Sequence, residues 1–168
     1  MIRLSTRDYD DPLPALIFTI GIPGSGKSTW IKSILQQDDS HGVVVVSPDE
    51  IRRELTGNIS DQTVNYKAWV IAKRRVSEAL QEGKDVILDA TNVGSSNRRK
   101  FVKDLPPHSL YAKRFEVEPE ESMKRVKKDL DEGIDRSRVP DDVITRMSET
   151  FKKESTEDKL KAEGFQLL

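Results

Sequence analysis

Residues 21 to 29, GIPGSGKST, carry a compact set of groups suited to binding phosphate. Gly21, Gly26, Lys27 and Ser28 keep the spacing G-x-x-x-x-G-K-[ST], and Pro23, Gly24, Ser25 and Thr29 complete the loop. With no side chains in the way, successive backbone N–H groups can close on a phosphate, helped by the partial positive charge of a helix N-terminus. Lys27 would then bridge β- and γ-phosphates, and the Ser28 hydroxyl would take one position on Mg²⁺. The expectation is a site for ATP or another NTP with Mg²⁺. The plain alternative is a glycine-rich turn with a surface lysine.

Three further groups could act on a phosphoryl donor. In SPDEIRREL, Asp49 would land beside the γ-phosphate if its strand neighbours the one before the loop, ready to accept the proton of an attacking hydroxyl. Arg52, three residues on along the same helical face, would point at the same cleft and meet a phosphate on the acceptor. Otherwise Asp49 is simply the N-cap of its helix. In VILDATN, Asp89 leaves the carboxyl end of a strand, the edge where open α/β sheets bind ligands. With Asn92 it would hold a magnesium water or orient the acceptor; the alternative is a cap for the next helix. Ala90 stands where a water-activating ATPase commonly has a second acid, which weighs against a motor or AAA-type enzyme. Between Gly133 and Pro140, Arg136 and Arg138 sit on a short loop that as a lid would place guanidinium groups on phosphate oxygens. Asp131, Glu132 and Asp135 nearby allow a salt-bridged connector instead.

These groups need a frame, and the chain supplies one. ALIFTI (15–20), VVVV (43–46) and VIL (86–88) are continuous apolar runs, as in parallel strands covered on both faces. SLYAKRFEV (109–117) and GFQLL (164–168) read as a fourth and a terminal strand. Helices are expected over KSTWIKSILQQ, DEIRREL, the amphipathic stretch 63–83 with Val64, Trp69, Ala72, Val76, Ala79 and Leu80 inward, PEESMKRVKKDLDEG and DDVITRMSETFKK. Gly83 is the expected helix stop. Trp30, Trp69 and Tyr66 could stack on a base or fill core, and core is the expectation. The alternation gives a parallel sheet with helices on both faces.

Length and composition narrow the function classes. The 168 residues suit one domain, expected over 15–168 behind a flexible lead-in, 1–14. The 28 basic and 29 acidic residues leave a formal charge of -1, so attraction to phosphate has to be local. There is no cysteine, which excludes disulfides and thiol chemistry, and His41 and His108 read as surface residues. The start lacks a secretory apolar segment, and the longest apolar runs are too short for a bilayer. The expectation is a soluble, cytoplasmic protein with no membrane partner. Its oligomeric state is left open, a homo-oligomer included.

GIPGSGKSTW, SPDEIRREL, DATN with NRR, and RSRVPDDVITRM together resemble the P-loop kinase domain of phage and bacterial polynucleotide 5′-kinases, over about residues 16 to 152. The resemblance implies a three-layer P-loop NTPase fold of kinase type with a short arginine-bearing lid. It implies that Lys27 and Ser28 hold ATP and Mg²⁺, that Asp49 is general base for a 5′-hydroxyl, and that Arg52 contacts the acceptor's phosphate. The lid arginine falls on Arg136 or Arg138. Some members have DTN where this chain has DATN, so Asp89 carries over less directly. The expected partner is an RNA or DNA end with a 5′-hydroxyl, its backbone gripped by Arg52, Arg53, Arg98, Arg99 and Lys100. Small-molecule and zeta-toxin-like kinases, which share the loop and a similar strand end, are the nearest rival, and a non-catalytic nucleotide-binding adaptor is a third reading.

Overall fold

The computed structural model describes residues 11–37 and 42–168, so His41 and most of the expected lead-in lie outside the described residues. Every residue of β1 (Ala15–Ile20) is buried. Leu16, Phe18 and Ile20 face one core, and Ala15 and Ile17 face another on the opposite side. A strand covered on both faces has no use for polar alternation, which is why this run is continuous. β2 (Val44–Val46), β3 (Val86–Leu88), β4 (Ser109–Arg114) and β5 (Gln166–Leu167) join it in the order β2-β3-β1-β4-β5, all parallel.

This order corrects one premise: β3, not β2, neighbours β1. Asp89 at the end of β3 is therefore next to the glycine loop, while Asp49 approaches from one strand further away. β4 also stops at Arg114 rather than 117. The Phe115 N–H still reaches the Ile20 carbonyl at 2.9 Å, but β1 turns into the loop at Gly21 and offers nothing beyond to pair with.

The smaller core holds Ile31 and Ile34 of α1 (Lys27–Leu35) against Ile17, Ile87 and Tyr111. The larger core gathers α2 (Pro48–Thr56), α3 (Asn65–Gln81), α4 (Ser95–Val102), α5 (Pro119–Asp131), α6 (Asp141–Glu154) and α7 (Glu157–Ala162). This is an α/β P-loop NTPase fold, a parallel five-stranded sheet flanked by helices. The N-cap of α2 is Ser47, whose hydroxyl accepts from the Glu50 N–H at 3.3 Å, and not Asp49. A Ser–Pro pair gives cap and first turn together, which leaves the Asp49 carboxylate for other work.

α3 buries Ala68, Ala72, Val76, Ala79 and Leu80 and stops just before Gly83, whose φ of 74° suits glycine. Val64 lies before it in a 3-10 turn, half-buried. Trp69 meets Phe101 edge-on and Trp30 meets Phe115 in the same way. Tyr66, expected in the core, is instead 85% exposed, because it sits in the first turn of α3 on the side away from the Ala68–Ala72 stripe. α7 adds a helix with no clear signal in the sequence, being too short to show a period. Among the described residues no helix is long and apolar enough to cross a membrane.

Arg98 is also placed differently from expectation. It is 2% exposed and does not face solvent. Its guanidinium donates to the Asn92 carbonyl (2.8 Å), the Ser155 hydroxyl (2.9 Å), the Glu154 carbonyl (2.6 Å) and both oxygens of Glu163 (3.2 and 2.7 Å). A buried bidentate pair of this kind is costly to break, because the surviving charge keeps its desolvation penalty. Arg98→Met should lower the unfolding free energy by about 3–5 kcal/mol, read as a lower urea midpoint. A midpoint unchanged within error would show that the network is not holding α4 to the C-terminal segment.

Candidate active site

The loop is shaped by its glycines and tied down from two sides. A Cβ on Gly21 would lie 2.6 Å from the Ser25 hydroxyl and 2.9 Å from the Phe115 carbonyl, so no side chain fits there. Gly24 and Gly26 take φ of 69° and 105°, where only glycine is unstrained. The Gly21 N–H donates to the Thr91 carbonyl (3.0 Å), which joins the loop to the end of β3. From the other side α5 holds it: the buried Ser122 hydroxyl donates to the Pro23 carbonyl (2.5 Å), and Arg125 to the Gly24 carbonyl (2.8 Å). Sequence reasoning misses both, since nothing in PEESMKRVKK marks a residue that fastens a loop about a hundred positions away.

The loop fits a polyphosphate. No side chain caps the first turn of α1 at Gly26, and that turn holds no acid. Its N–H groups therefore face the loop without a side-chain acceptor, in contrast to the Ser47-capped α2. Ser28 and Thr29 are both exposed in the same turn. The oxygen donors present, the Ser28 hydroxyl and the Asp89 carboxylate, suit Mg²⁺, which keeps most of its shell as water and phosphate oxygen. Accordingly, among the described residues no group of three or more His, Cys, Asp or Glu is gathered to hold a metal by protein ligands alone.

Lys27, Asp89, Asp49 and Arg136 form one electrostatic cluster. The Lys27 ammonium donates to the Gly21 and Ile22 carbonyls (2.8 and 2.7 Å) and contacts the Ser25 hydroxyl at 3.3 Å. Burial pushes its pKa from 10.5 down to about 8; Asp89 and Asp49 pull the other way, and Arg136 adds to the fall. Burial pushes the Asp89 carboxyl up despite Lys27, and Asp49 and Glu50 push it further in the same direction.

The Lys27 shift has a measurable consequence. At pH 8 about half of the free protein carries Lys27 uncharged, and a bound triphosphate would restore the proton. ATP binding should therefore take up about half a proton at pH 8, and affinity should fall as pH rises above 8 while Lys27 contributes no trend below about 7. Calorimetry in buffers of different ionisation enthalpy reads this directly. Lys27→Met should abolish the uptake. For folding the sign is the opposite of a stabilised cation: both states hold the proton below about 8, and because the unfolded chain keeps it up to 10.5, this group makes stability rise with pH only between about 8 and 10.5.

Asp49 stands at the mouth of this cluster, its side chain 48% exposed, ion-paired to Arg52 beneath it. Arg52 is 5% exposed. Its Nε donates to the Ile59 carbonyl (3.0 Å) and one Nη to Asn65 Oδ1 (2.8 Å). The sequence puts Arg52 out in the cleft; the structure sets it under Asp49 as the group that aims the carboxylate, because Ile59 and Asn65 close over it. Arg53 is drawn to Glu50 (2.6 Å) and Asp135 (2.7 Å), and Arg98 is buried, so neither offers a free cation for a nucleic-acid backbone. Asn92, at φ 49°, donates its amide to the Thr19 carbonyl (2.8 Å) and shapes the strand end. Asp89 is no cap either, since α4 starts at Ser95.

The two loop arginines separate. Arg136 is partly buried, paired with Asp129 at 2.6 Å, and close enough to Lys27 to lower its pKa; its buried Nε has no hydrogen-bond partner in the structure. Arg138 touches the rest of the molecule through its backbone N–H, which donates to the Ser60 hydroxyl at 3.0 Å.

With this geometry in place, the relatives can be compared. The sequence profile of an AAA domain matches residues 16–153. The chain belongs to the AAA domain family. The missing acid at Ala90 bears on how water would be activated, not on membership of this family. No curated protein sequence matches this AAA domain. Among solved structures, a chain of the Pnkp1/Rnl/Hen1 RNA repair complex superimposes with a TM-score of 0.72 at 22% identity, over 90% of this chain and 49% of that one. A chain of a second Pnkp1/Rnl/Hen1 complex gives 0.61 at 26% identity, over 71% and 41%. A gluconokinase from Sinorhizobium meliloti 1021 gives 0.54 at 18% identity, over 89% and 81%. This AAA domain thus has the fold of P-loop kinases, and it spans about half the length of the RNA repair chains it matches.

Proposed function

We propose that the domain transfers the γ-phosphoryl group of ATP or another NTP to the 5′-hydroxyl at the end of an RNA or DNA chain. The observation that carries this is Asp49: a half-exposed carboxylate, aimed by a buried arginine, in the same charged cluster as the loop lysine. The acceptor oxygen forms its bond to the γ-phosphorus as the bond to the β-bridging oxygen breaks, and the hydroxyl proton passes to Asp49. Lys27 holds the β- and γ-oxygens, and Arg136 meets the charge that develops on the γ-phosphoryl. Mg²⁺, held by Ser28 and through water by Asp89, would neutralise charge between the phosphates. Arg52 acts through Asp49, aiming its carboxylate while its other N–H groups are held by the Ile59 carbonyl and Asn65.

Similarity to chains of RNA repair complexes supports a nucleic-acid acceptor. Similarity to a gluconokinase supports the second reading, a kinase for a small hydroxyl compound. The experiment incubates the protein and γ-labelled ATP with a 5′-hydroxyl oligonucleotide, a nucleoside and a panel of sugars. Label on the oligonucleotide is the expected result. Label on a nucleoside or sugar alone would put the second reading in its place, and ATP binding with no labelled acceptor would leave a nucleotide-binding adaptor.

A further inference from the structure

Although the chain as a whole is almost neutral, two adjacent helices are not. Between residues 65 and 77 the charged residues are Lys67, Lys73, Arg74 and Arg75, and between 95 and 103 they are Arg98, Arg99, Lys100 and Lys103; neither segment contains an acid. Arg75 is paired with Glu54, Arg74 lies 3.9 Å from Glu78, and Arg98 is buried with Glu163. Among the described residues Lys67, Lys73, Arg99, Lys100 and Lys103 form no ion pair. The outer faces of α3 and α4 are joined: the Lys73 ammonium donates to the Lys100 carbonyl at 3.2 Å, and Trp69 packs on Phe101 just beneath. On this cationic face stand two large apolar side chains left in solvent, Tyr66 at 85% and Val70 at 52%.

The face is continuous with the site. Tyr66 follows Asn65, whose side chain accepts from Arg52, and Arg52 holds Asp49. α3 leads into β3, so its first turn lies at the carboxyl edge of the sheet, the edge that carries the glycine loop and Asp89. We infer that the outer face of α3 and α4 is the track for the single strand that trails from the acceptor end, with Tyr66 stacking on a base and Lys67, Lys73, Lys100 and Arg99 meeting successive phosphates. Unpaired cations beside an exposed ring suit this partner in particular: the ring accepts any base face, and the lysines follow the backbone without reading sequence. A protein partner would be expected to bury the ring in an apolar patch, and here the ring shares its face with lysines that form no ion pair. The inference deepens the reading above and rests on it for the identity of the acceptor.

The test compares two acceptors, a 5′-hydroxyl decamer and a nucleoside 3′-monophosphate, with Tyr66→Ala and with the double variant Lys67→Gln/Lys73→Gln. Tyr66→Ala should raise KM for the decamer about tenfold or more and leave KM for the mononucleotide and kcat on it unchanged. The lysine variant should flatten the dependence of log Kd for the decamer on log salt by about 1.4, since each phosphate left without its lysine takes about 0.7 from the slope. Equal changes with both acceptors, or none with either, would overturn the track. Equilibrium binding of a fluorescent decamer separates the two proposals. Salt-sensitive binding that the variants weaken would support the track even if no 5′-end is phosphorylated, whereas a native chain that labels 5′-ends but binds decamer and mononucleotide equally would retain the activity and remove the track.

Discussion

Asp49→Asn is expected to bind ATP as the native chain does and to lose phosphoryl transfer by about 10²–10⁴-fold. The replacement has the same shape and keeps an oxygen for the Arg52 fork, but an amide cannot accept the hydroxyl proton. The Ser47 cap is untouched, so α2 should stay formed. Single-turnover transfer at saturating ATP isolates the chemical step from binding. Unchanged turnover would remove Asp49 from proton transfer. Because the variant also takes a counter-charge from a guanidinium only 5% exposed, the urea midpoint should be measured beside the rate. A small midpoint shift with a large rate loss places the effect in the chemistry.

The second large effect separates the two loop arginines. Arg136→Ala should lower single-turnover transfer by about 10³-fold or more, the scale of an arginine acting on a transferring phosphoryl group. Arg138→Ala should stay within a few-fold of the native rate. Arg136 bears on the Lys27 ammonium and is braced by Asp129, whereas Arg138 meets the molecule through its main chain. Arg136→Lys keeps the charge without the planar fork and should recover only part of the loss. Equal losses for the alanine variants at both positions would make the loop a cover rather than the bearer of one arginine.

The sequence shows most clearly what is local. The apolar run, glycine loop and first helix are neighbours in the chain, and each reports its own geometry, so the donor site is legible in GIPGSGKST. Asp49 is picked out from the sequence on a premise the fold does not keep: its strand is not beside β1, because strand order is set by crossovers that no local pattern records. Arg98 looks like a surface cation because its partner Glu163 lies 65 residues away, and that pairing exists only once the chain is folded. Tyr66 reads as an inward residue of α3 although the buried stripe runs through Ala68 and Ala72; small alanines mark that stripe less loudly than an aromatic ring does. The hold of α5 on the glycine loop has no signal at all, being a serine hydroxyl on a proline carbonyl.

The loop between α5 and α6 is fastened at both ends of its arginine pair to the other side of the cleft: Asp135 to Arg53 on α2, and the Arg138 N–H to the Ser60 hydroxyl. Arg53 is one residue from Arg52, so the segment that bears Arg136 is tethered to the helix that bears Asp49, the groups proposed to serve the donor and the acceptor. Two substrates that each draw on one end of such a tether are energetically linked. Linkage is reciprocal, so whatever factor ATP applies to acceptor affinity, the acceptor must apply to ATP. Synergy between the substrates would then belong to the ground-state geometry of Arg53 and Asp135, and Asp135→Asn would be the place to see it diminish.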